Sequence, residues 1–331
     1  MPRLLRLIGR FILLLAVAGI LGAAGLGYWG YTVYTEPGPL DRPATVVLPR
    51  GTGLAGIAER LSEAGVIGLP THFAAVARLT GVHRSLQAGE YAFNRGVSPR
   101  EVMQIIAEGR TVVRWLTVPE GLTTVQVLML IDGVEGLGGS ISRVPNEGDL
   151  LPDTYRYSYG DRRDAVLERM RHAMADTLGE LWPNRASNLP FKTPEEAVIL
   201  ASIVEKETGQ RAERPLVAGV FINRLRQGMR LDSDPTVIYA VSGGQGPLDR
   251  PLTRADLETD HPYNTYRNTG LPPGPIANPG RASLEAVLNP APTDALYFVA
   301  DGTGGHAFST TLDEHNRNVR KWRALNRRPA P

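Results

Sequence analysis

The sequence predicts a mixed helix-and-strand protein in three parts: a membrane helix, a small strand–helix–helix–strand unit and a larger domain. Three observations predict it. Residues 11–35 run for 25 positions without a charge. Residues 45–93 pass from a β-branched run through helical three–four spacing to a second strand-like run. From residue 193 onward, capping boxes and glycine stops bound several helices, and a short apolar strand follows near 296–300.

Composition sets the outer limits. The chain has 331 residues, no cysteine, and 36 Lys+Arg against 34 Asp+Glu, a formal net charge of +2. At roughly 100–200 residues per domain, this length holds two or three domains. A disordered tail, a coiled coil and a disulfide scaffold are excluded. The near balance of charge argues against a nucleic-acid binder, which carries a strongly basic face.

The membrane element comes first. Arg3, Arg6 and Arg10 precede the uncharged run, and Tyr28, Trp29, Tyr31 and Tyr34 gather at its far end. A helix of this length exceeds the ~30 Å hydrocarbon core, and amphipathic rings favour the lipid–water interface. The arginine asymmetry predicts residues 1–10 in the cytoplasm, a transmembrane helix over 11–34 and everything after Glu36 outside. The competing reading is a cleaved signal peptide, since Ala16-Val17-Ala18 resembles an A-x-A site. Cleavage there would leave an apolar core of seven residues and ignore the run that continues to Trp29. Gly19, Ala23 and Gly27 form a small-residue stripe, open either to helix packing or to chance in a Gly/Ala-rich segment.

A proline-rich linker over 36–43 ends in strand-like Thr45-Val-Val-Leu48. Leu54, Ile57, Ala58 and Leu61 then give a helix over 54–65. A second helix is expected over about 72–79, a strand over 89–93 and a third helix over 99–108. Val47-Leu-Pro-Arg-Gly51 is echoed by Thr117-Val-Pro-Glu-Gly121, each reading as strand, turn and helix; two copies are too few for a solenoid.

The densest signals lie further on. Thr193-Pro-Glu-Glu196 is a capping box with proline at the first helical position, and the helix it opens runs to a stop at Gly209. Seven of the eight residues 197–204 are apolar, so this helix is expected to be buried on nearly every side. Glu205 follows small residues at 201 and 202. A carboxylate at the end of a buried helix loses hydration, which favours its protonated form and suits it to donate a proton near neutral pH. The bland alternative makes Glu205, Lys206 and Glu207 the solvated end of the helix, although acidic residues there oppose the macrodipole. A further helix is expected over 213–227, and Asp234 is expected to cap one starting at Pro235.

Other chemistries find little support. Asp232-Ser-Asp234-Pro-Thr236-Val237 matches a phosphohydrolase nucleophile loop but lacks the apolar strand before it. Ala240-Val-Ser-Gly-Gly244 narrowly misses a serine nucleophile elbow. The six histidines show no metal-ligand spacing, and no glycine-rich phosphate loop occurs, so neither metal nor cofactor is expected. The polar, aromatic, proline-stiffened stretch 261–280 suits a glycan cleft: tyrosines stack on sugar faces, and Asn and Thr bond hydroxyl and acetamido groups. An ordered structural loop is the alternative. Thr311-Leu-Asp-Glu314 is a second capping box, opening a terminal helix after a buried strand at 296–300.

Several of these segments carry a resemblance. Ala201-Ser-Ile-Val-Glu-Lys-Glu-Thr208, Val220-Phe-Ile-Asn-Arg-Leu225, Asp234-Pro-Thr-Val-Ile-Tyr239, Tyr263-Asn-Thr-Tyr266, Gly270-Leu-Pro-Pro-Gly274 and Leu296-Tyr-Phe-Val-Ala-Asp301 resemble the MltG/YceG family of endolytic murein transglycosylases. Val118-Pro-Glu-Gly121 and Leu151-Pro-Asp-Thr-Tyr155 match as well, whereas 122–150 and 156–190 match weakly. The resemblance implies an α+β fold, with a LysM-like module over 44–116 and a catalytic domain over 117–331. It implies an inner-membrane, single-pass enzyme facing the periplasm that cuts nascent peptidoglycan strands between MurNAc and GlcNAc and terminates their elongation. Membrane-bound peptidoglycan synthases are the implied partners. The catalytic glutamate carries over onto Glu205, with Glu207 as the rival acid; Ser202, Asp234, Thr236, Tyr239, Tyr263, Asn264 and Tyr266 are the implied substrate-binding residues.

Lytic cleavage needs no water. One carboxyl donates to the glycosidic oxygen, and the same group or a neighbour takes the proton of the muramic 6-hydroxyl as a 1,6-anhydro ring closes. Two residues along a helix point about 200° apart, so Glu205 and Glu207 cannot face one cleft. A non-catalytic peptidoglycan-binding scaffold for cell-wall synthases is the alternative function.

Overall fold

The computed structural model describes residues 2–326, with side chains from residue 7. The side chains of Arg3 and Arg6 and the last five positions of the expected catalytic domain lie outside the described residues. The chain divides into two compact units, residues 1–114 with 158–160, and residues 115–157 with 161–331.

In the first unit the apolar run is one helix, α1 (Pro2–Thr35), long and apolar enough over Leu7–Thr35 to cross a membrane. After the linker, β1 (Ala44–Leu48), α2 (Leu54–Glu63), α3 (Pro70–Leu79), β2 (Gly89–Phe93) and α4 (Pro99–Ala107) follow. β1 and β2 pair antiparallel from Ala44 against Phe93 to Leu48 against Gly89. Leu48, Leu61, Ile67, Phe73, Tyr91, Phe93, Met103 and Ile106 fill the core between the strands and helices. α3 begins two residues before the expected His72, because Pro70 occupies its first turn, where a missing N–H is harmless.

The second unit is mainly helical: β3 (Arg114–Thr117), α5 (Thr124–Asp132), β4 (Thr154–Tyr157), α6 (Arg163–Leu181), α7 (Pro194–Glu207), α8 (Arg214–Arg226), α9 (Asp234–Ser242), α10 (Arg254–Leu257), α11 (Arg281–Leu288), β5 (Tyr297–Ala300), β6 (His306–Ser309) and α12 (Leu312–Asn326). β3 pairs with β4, and β5 with β6 in an antiparallel hairpin. The molecule thus mixes helix and sheet behind one apolar N-terminal helix.

α7 is the axis of this unit. Both halves of its capping box form: Glu196 N–H donates to Thr193 Oγ1 at 3.3 Å, and Thr193 N–H to Glu196 Oε2 at 3.2 Å. Its middle is buried against α8 and α11, with Leu200, Ala201, Ile203 and Val204 fully enclosed and only Ile199 reaching the surface. At its end the expected left-handed glycine stop is absent. The chain leaves through an extended Thr208, so Gly209 keeps an ordinary conformation. β5 differs too: all four of its residues are partly exposed, because the hairpin carries α12 yet belongs to no larger sheet.

Candidate active site

The two glutamates at the end of α7 have unlike surroundings. Glu205 Oε1 accepts from Arg214 Nη2 at 2.7 Å, while Oε2 accepts from Gly280 N–H at 3.0 Å and Ser283 Oγ at 2.8 Å. The same Arg214 nitrogen donates to Glu120 Oε2 at 2.9 Å. Side-chain exposure is 4% for Glu205 and 5% for Arg214, so this is a buried ion pair at the start of α8. A Cβ at Gly280 would overlap the Glu120 carboxylate, so only glycine lets that close approach occur. Three fixed donors thus occupy the two oxygens of Glu205.

Glu207 lies the other way. Its Oε1 accepts one hydrogen bond, from Ser233 Oγ at 2.5 Å, and the residue is only partly buried. Burial pushes its carboxyl up to about 7; the Ser233 bond opposes the rise, and the negative charge of Asp234 adds to it. A carboxyl that titrates near neutrality and keeps some contact with solvent is suited to proton donation. The sequence expectation favoured Glu205 from the small residues behind it. The fold instead brings Arg214, Gly280 and Ser283 onto Glu205 and leaves Glu207 with a single hydroxyl.

Ser233 explains a shift in α9. Asp234 was expected to cap a helix beginning at Pro235, but the helix begins at Asp234 itself. Ser233 holds the cap position without a side-chain cap bond, since its hydroxyl is committed to Glu207. Asp234 is exposed, and its Oδ1 accepts from Tyr266 Oη at 2.7 Å. Tyr266 thus comes beside Glu207 and Asp234, all three near one surface.

The remaining expected substrate contacts divide in two. Tyr239 and Tyr263 are partly exposed and in contact, with ring centroids 4.9 Å apart and the planes tilted by 41°. Gly274 carries no Cβ because one would lie 2.6 Å from Tyr263 Oη. Ser202, Thr236 and Asn264 are each fully buried, which replaces their expected contact with sugar by support. Ser202 Oγ donates to Ile199 O and accepts from Ile276 N–H; Thr236 Oγ1 donates to Ser233 O at 2.7 Å. Asn264 Nδ2 donates to Leu257 O and Thr259 O, and its Oδ1 accepts from Tyr266 N–H at 3.0 Å. It is the buried peg of the aromatic loop.

Sequence reasoning missed Arg214, Ser233, Ser283 and Glu147. Glu147 accepts from Thr124 N–H at 2.8 Å and from Tyr239 Oη at 3.4 Å, and burial raises its carboxyl. None of these falls in a motif whose spacing announces chemistry; only their meeting in space does. A recess of about 130 Å³ lies beside Lys206, Pro235, Tyr239 and Ile276, and a larger one of about 340 Å³ is lined by Glu195 of α7 but by neither Glu205 nor Glu207. Among the described residues no three His, Asp or Glu side chains gather to hold a metal ion.

Comparison with known proteins adds a family context. Residues 46–321 match the YceG-like family. An endolytic murein transglycosylase of Bacillus subtilis (strain 168) is 33% identical over 325 residues, covering 87% of each chain. One from Streptococcus pneumoniae serotype 2 (strain D39) is 29% identical over 363 residues, 93% of this chain but 64% of the streptococcal one. The crystal structure of a yceG-like protein from Listeria monocytogenes superposes with a TM-score of 0.51 at 31% identity, covering 83% of this chain and 98% of that one.

Proposed function

The chain belongs to the YceG-like family, and from that premise we propose that it is a membrane-anchored endolytic peptidoglycan lytic transglycosylase with Glu207 as its acid. It cleaves the MurNAc–GlcNAc bond inside nascent glycan strands, forms a 1,6-anhydroMurNAc end and so terminates strand elongation. Residues 11–34 anchor it in the inner membrane with the N-terminus cytoplasmic. Residues 44–116 form a LysM-like module that holds glycan, and the rest is the catalytic domain, working beside membrane-bound peptidoglycan synthases.

The observation that carries the reading is the Glu207 carboxyl, poised near neutrality with one hydroxyl partner. Protonated Glu207 donates to the bridging oxygen as positive charge develops at the muramic C1, and the sugar's own 6-hydroxyl closes on that carbon. Tyr266, Asp234, Tyr263 and Tyr239 supply the rim on which the sugars sit. Ser202, Thr236 and Asn264 hold that rim in place. Glu205, locked to Arg214, is an anchor for the helix end and takes no part in proton transfer.

Purified glycan strands incubated with the full chain, with products read by mass spectrometry, test this. Release of internal fragments with 1,6-anhydro ends is expected, abolished by Glu207→Gln. Strands left intact by the wild-type chain would favour the scaffold alternative. Loss of cleavage in Glu205→Gln at an unchanged unfolding midpoint, with Glu207→Gln active, would return the acid to Glu205.

A further inference from the structure

A histidine linked through Glu213 to the end of α7 has one ring nitrogen fixed and the other outside any bond among the described residues. His306, first residue of β6, accepts or donates through Nδ1 at 2.7 Å to Glu213 Oε2, while its backbone N–H donates to Glu213 Oε1 at 2.9 Å. Against an ionised carboxylate the ring is the donor, so Nδ1 carries the hydrogen and the neutral ring keeps its lone pair on Nε2. Nε2 is neither bonded among the described residues nor sealed from solvent. The edge of Phe298, 5.4 Å away at 87°, and the ring of Phe308 wall the imidazole.

Glu213 ties this ring to the acid's own helix end: Thr208 Oγ1, next in the chain to Glu207, lies 3.5 Å from the Glu213 Oε2 that takes Nδ1. His306 is also close enough for its charge to bear on the Glu207 carboxyl. Two acidic groups bear on this ring: Glu213 from the turn before α8, in direct contact, and Glu207 from α7, through its charge. Asp301 lies in the β5–β6 turn. Asp301 is occupied by Thr303 and Gly305 N–H. From α12, the titratable neighbour of the hairpin is His315, which stacks on Tyr297 instead.

We propose that His306 is the second proton-transfer group of the site, its Nε2 taking the proton that the muramic 6-hydroxyl loses during ring closure. This rests on the lytic reading above. The steps balance. Glu207 gives its proton to the bridging oxygen as the C1–O bond breaks. The O6 lone pair forms the new C1–O bond, and the O6–H proton passes to Nε2. Glu207 is left ionised and His306 protonated, and solvent returns the proton from one to the other before the next turnover. The rate then requires a proton on Glu207, which sets the basic limb of the pH profile, and a free lone pair at Nε2.

Full chain carrying His306→Ala or His306→Asn is assayed on purified glycan strands across pH. The asparagine amide keeps a donor for Glu213 in place of Nδ1 but offers no base, so it guards against a folding defect. Both variants are expected to lose about 100-fold or more in kcat with KM within about twofold, the size expected of a lost general base. The basic limb of the profile should stay where Glu207 sets it, and added imidazole should restore His306→Ala. Wild-type kcat in His306→Asn would overturn the proposal. A loss in His306→Ala that imidazole leaves untouched would overturn it too. Failure of the lytic reading is distinguishable: the wild-type chain would then release no 1,6-anhydro ends, and both proposals would fall.

Discussion

Replacing Glu207 with glutamine should stabilise the protein at alkaline pH while destroying its activity. Burial carries this carboxyl from an ordinary 4.5 to about 7. The folded state therefore holds a proton that the unfolded state has released, and stability falls as pH rises from about 4.5 to about 7, then levels off. The full displacement corresponds to about 3 kcal/mol; water at the partly exposed edge of the side chain screens the charge and trims this to about 2–3 kcal/mol. Glutamine retains the bond from Ser233 Oγ and never ionises, so its variant escapes the loss. For a unit of this size each kcal/mol moves the midpoint by about 2–4 °C. Thermal unfolding of the full chain and of Glu207→Gln should therefore coincide near pH 4.5 and separate by about 4–12 °C at about pH 8.5, the variant being higher. Titrating groups remote from this carboxyl cancel in the difference. Curves that run parallel across this range would refute the reasoning, because the carboxyl would then ionise as freely in the folded chain as in the unfolded one.

Arg214→Met leaves the Glu205 carboxylate buried with its charge uncompensated, and denaturant unfolding should show a loss of about 3–5 kcal/mol, much of it recovered in the double variant with Glu205→Gln. Tyr263→Ala should weaken glycan cleavage by loss of orientation while leaving the basic limb of the pH–rate profile where Glu207 sets it; a shifted limb would mean that the loop tunes the acid. Asn264→Ala, by contrast, strips three hydrogen bonds from a buried peg, so stability and activity should fall together, by about 2–4 kcal/mol in the unfolding free energy. A reporter fused after the last residue should be active only outside the cytoplasm, and activity inside would overturn the topology.

The elements were legible wherever a local rule generates them. The α7 capping box, the Pro99 start of α4 and the three–four spacing of α2 need only neighbours within a turn, and the structure forms each in place. The chemistry was legible only to within two residues. Glu205 and Glu207 stood out as odd charges at a helix terminus, but what separates them comes from elsewhere: Arg214 nine residues after Glu205, Gly280 and Ser283 75 and 78 residues after it, Ser233 from the loop before α9. The small residues at 201 and 202 pointed to a tight wall behind Glu205, and Ser202 does pack there, but as a hydrogen-bond link to Ile276. Likewise the tyrosines and asparagine of the 261–280 loop look equivalent in the sequence. Only folding assigns one to the core and the others to the surface.

The segment between α1 and β1 has a consequence for where the protein can work. Its eight residues, 36–43, do not trail as a leash: Gly38 N–H donates to Val97 O at 3.1 Å, Gly96 N–H to Leu40 O at 2.8 Å, and Leu40 itself is buried. A side chain at position 38 would collide with the Val97 carbonyl at 2.5 Å, so the fastening tolerates only glycine. Further back, Trp29 meets the edge of His72 on α3 at 5.9 Å, six residues before the helix ends. With that helix in a bilayer, the small unit would ride at a set altitude, its floor level with the lipid headgroups. Glycan would be met as it leaves the membrane surface, and mature wall beyond that shallow layer would lie out of this unit's range. Lengthening the tether, rather than altering any residue that touches sugar, would be the way to change which layer is harvested.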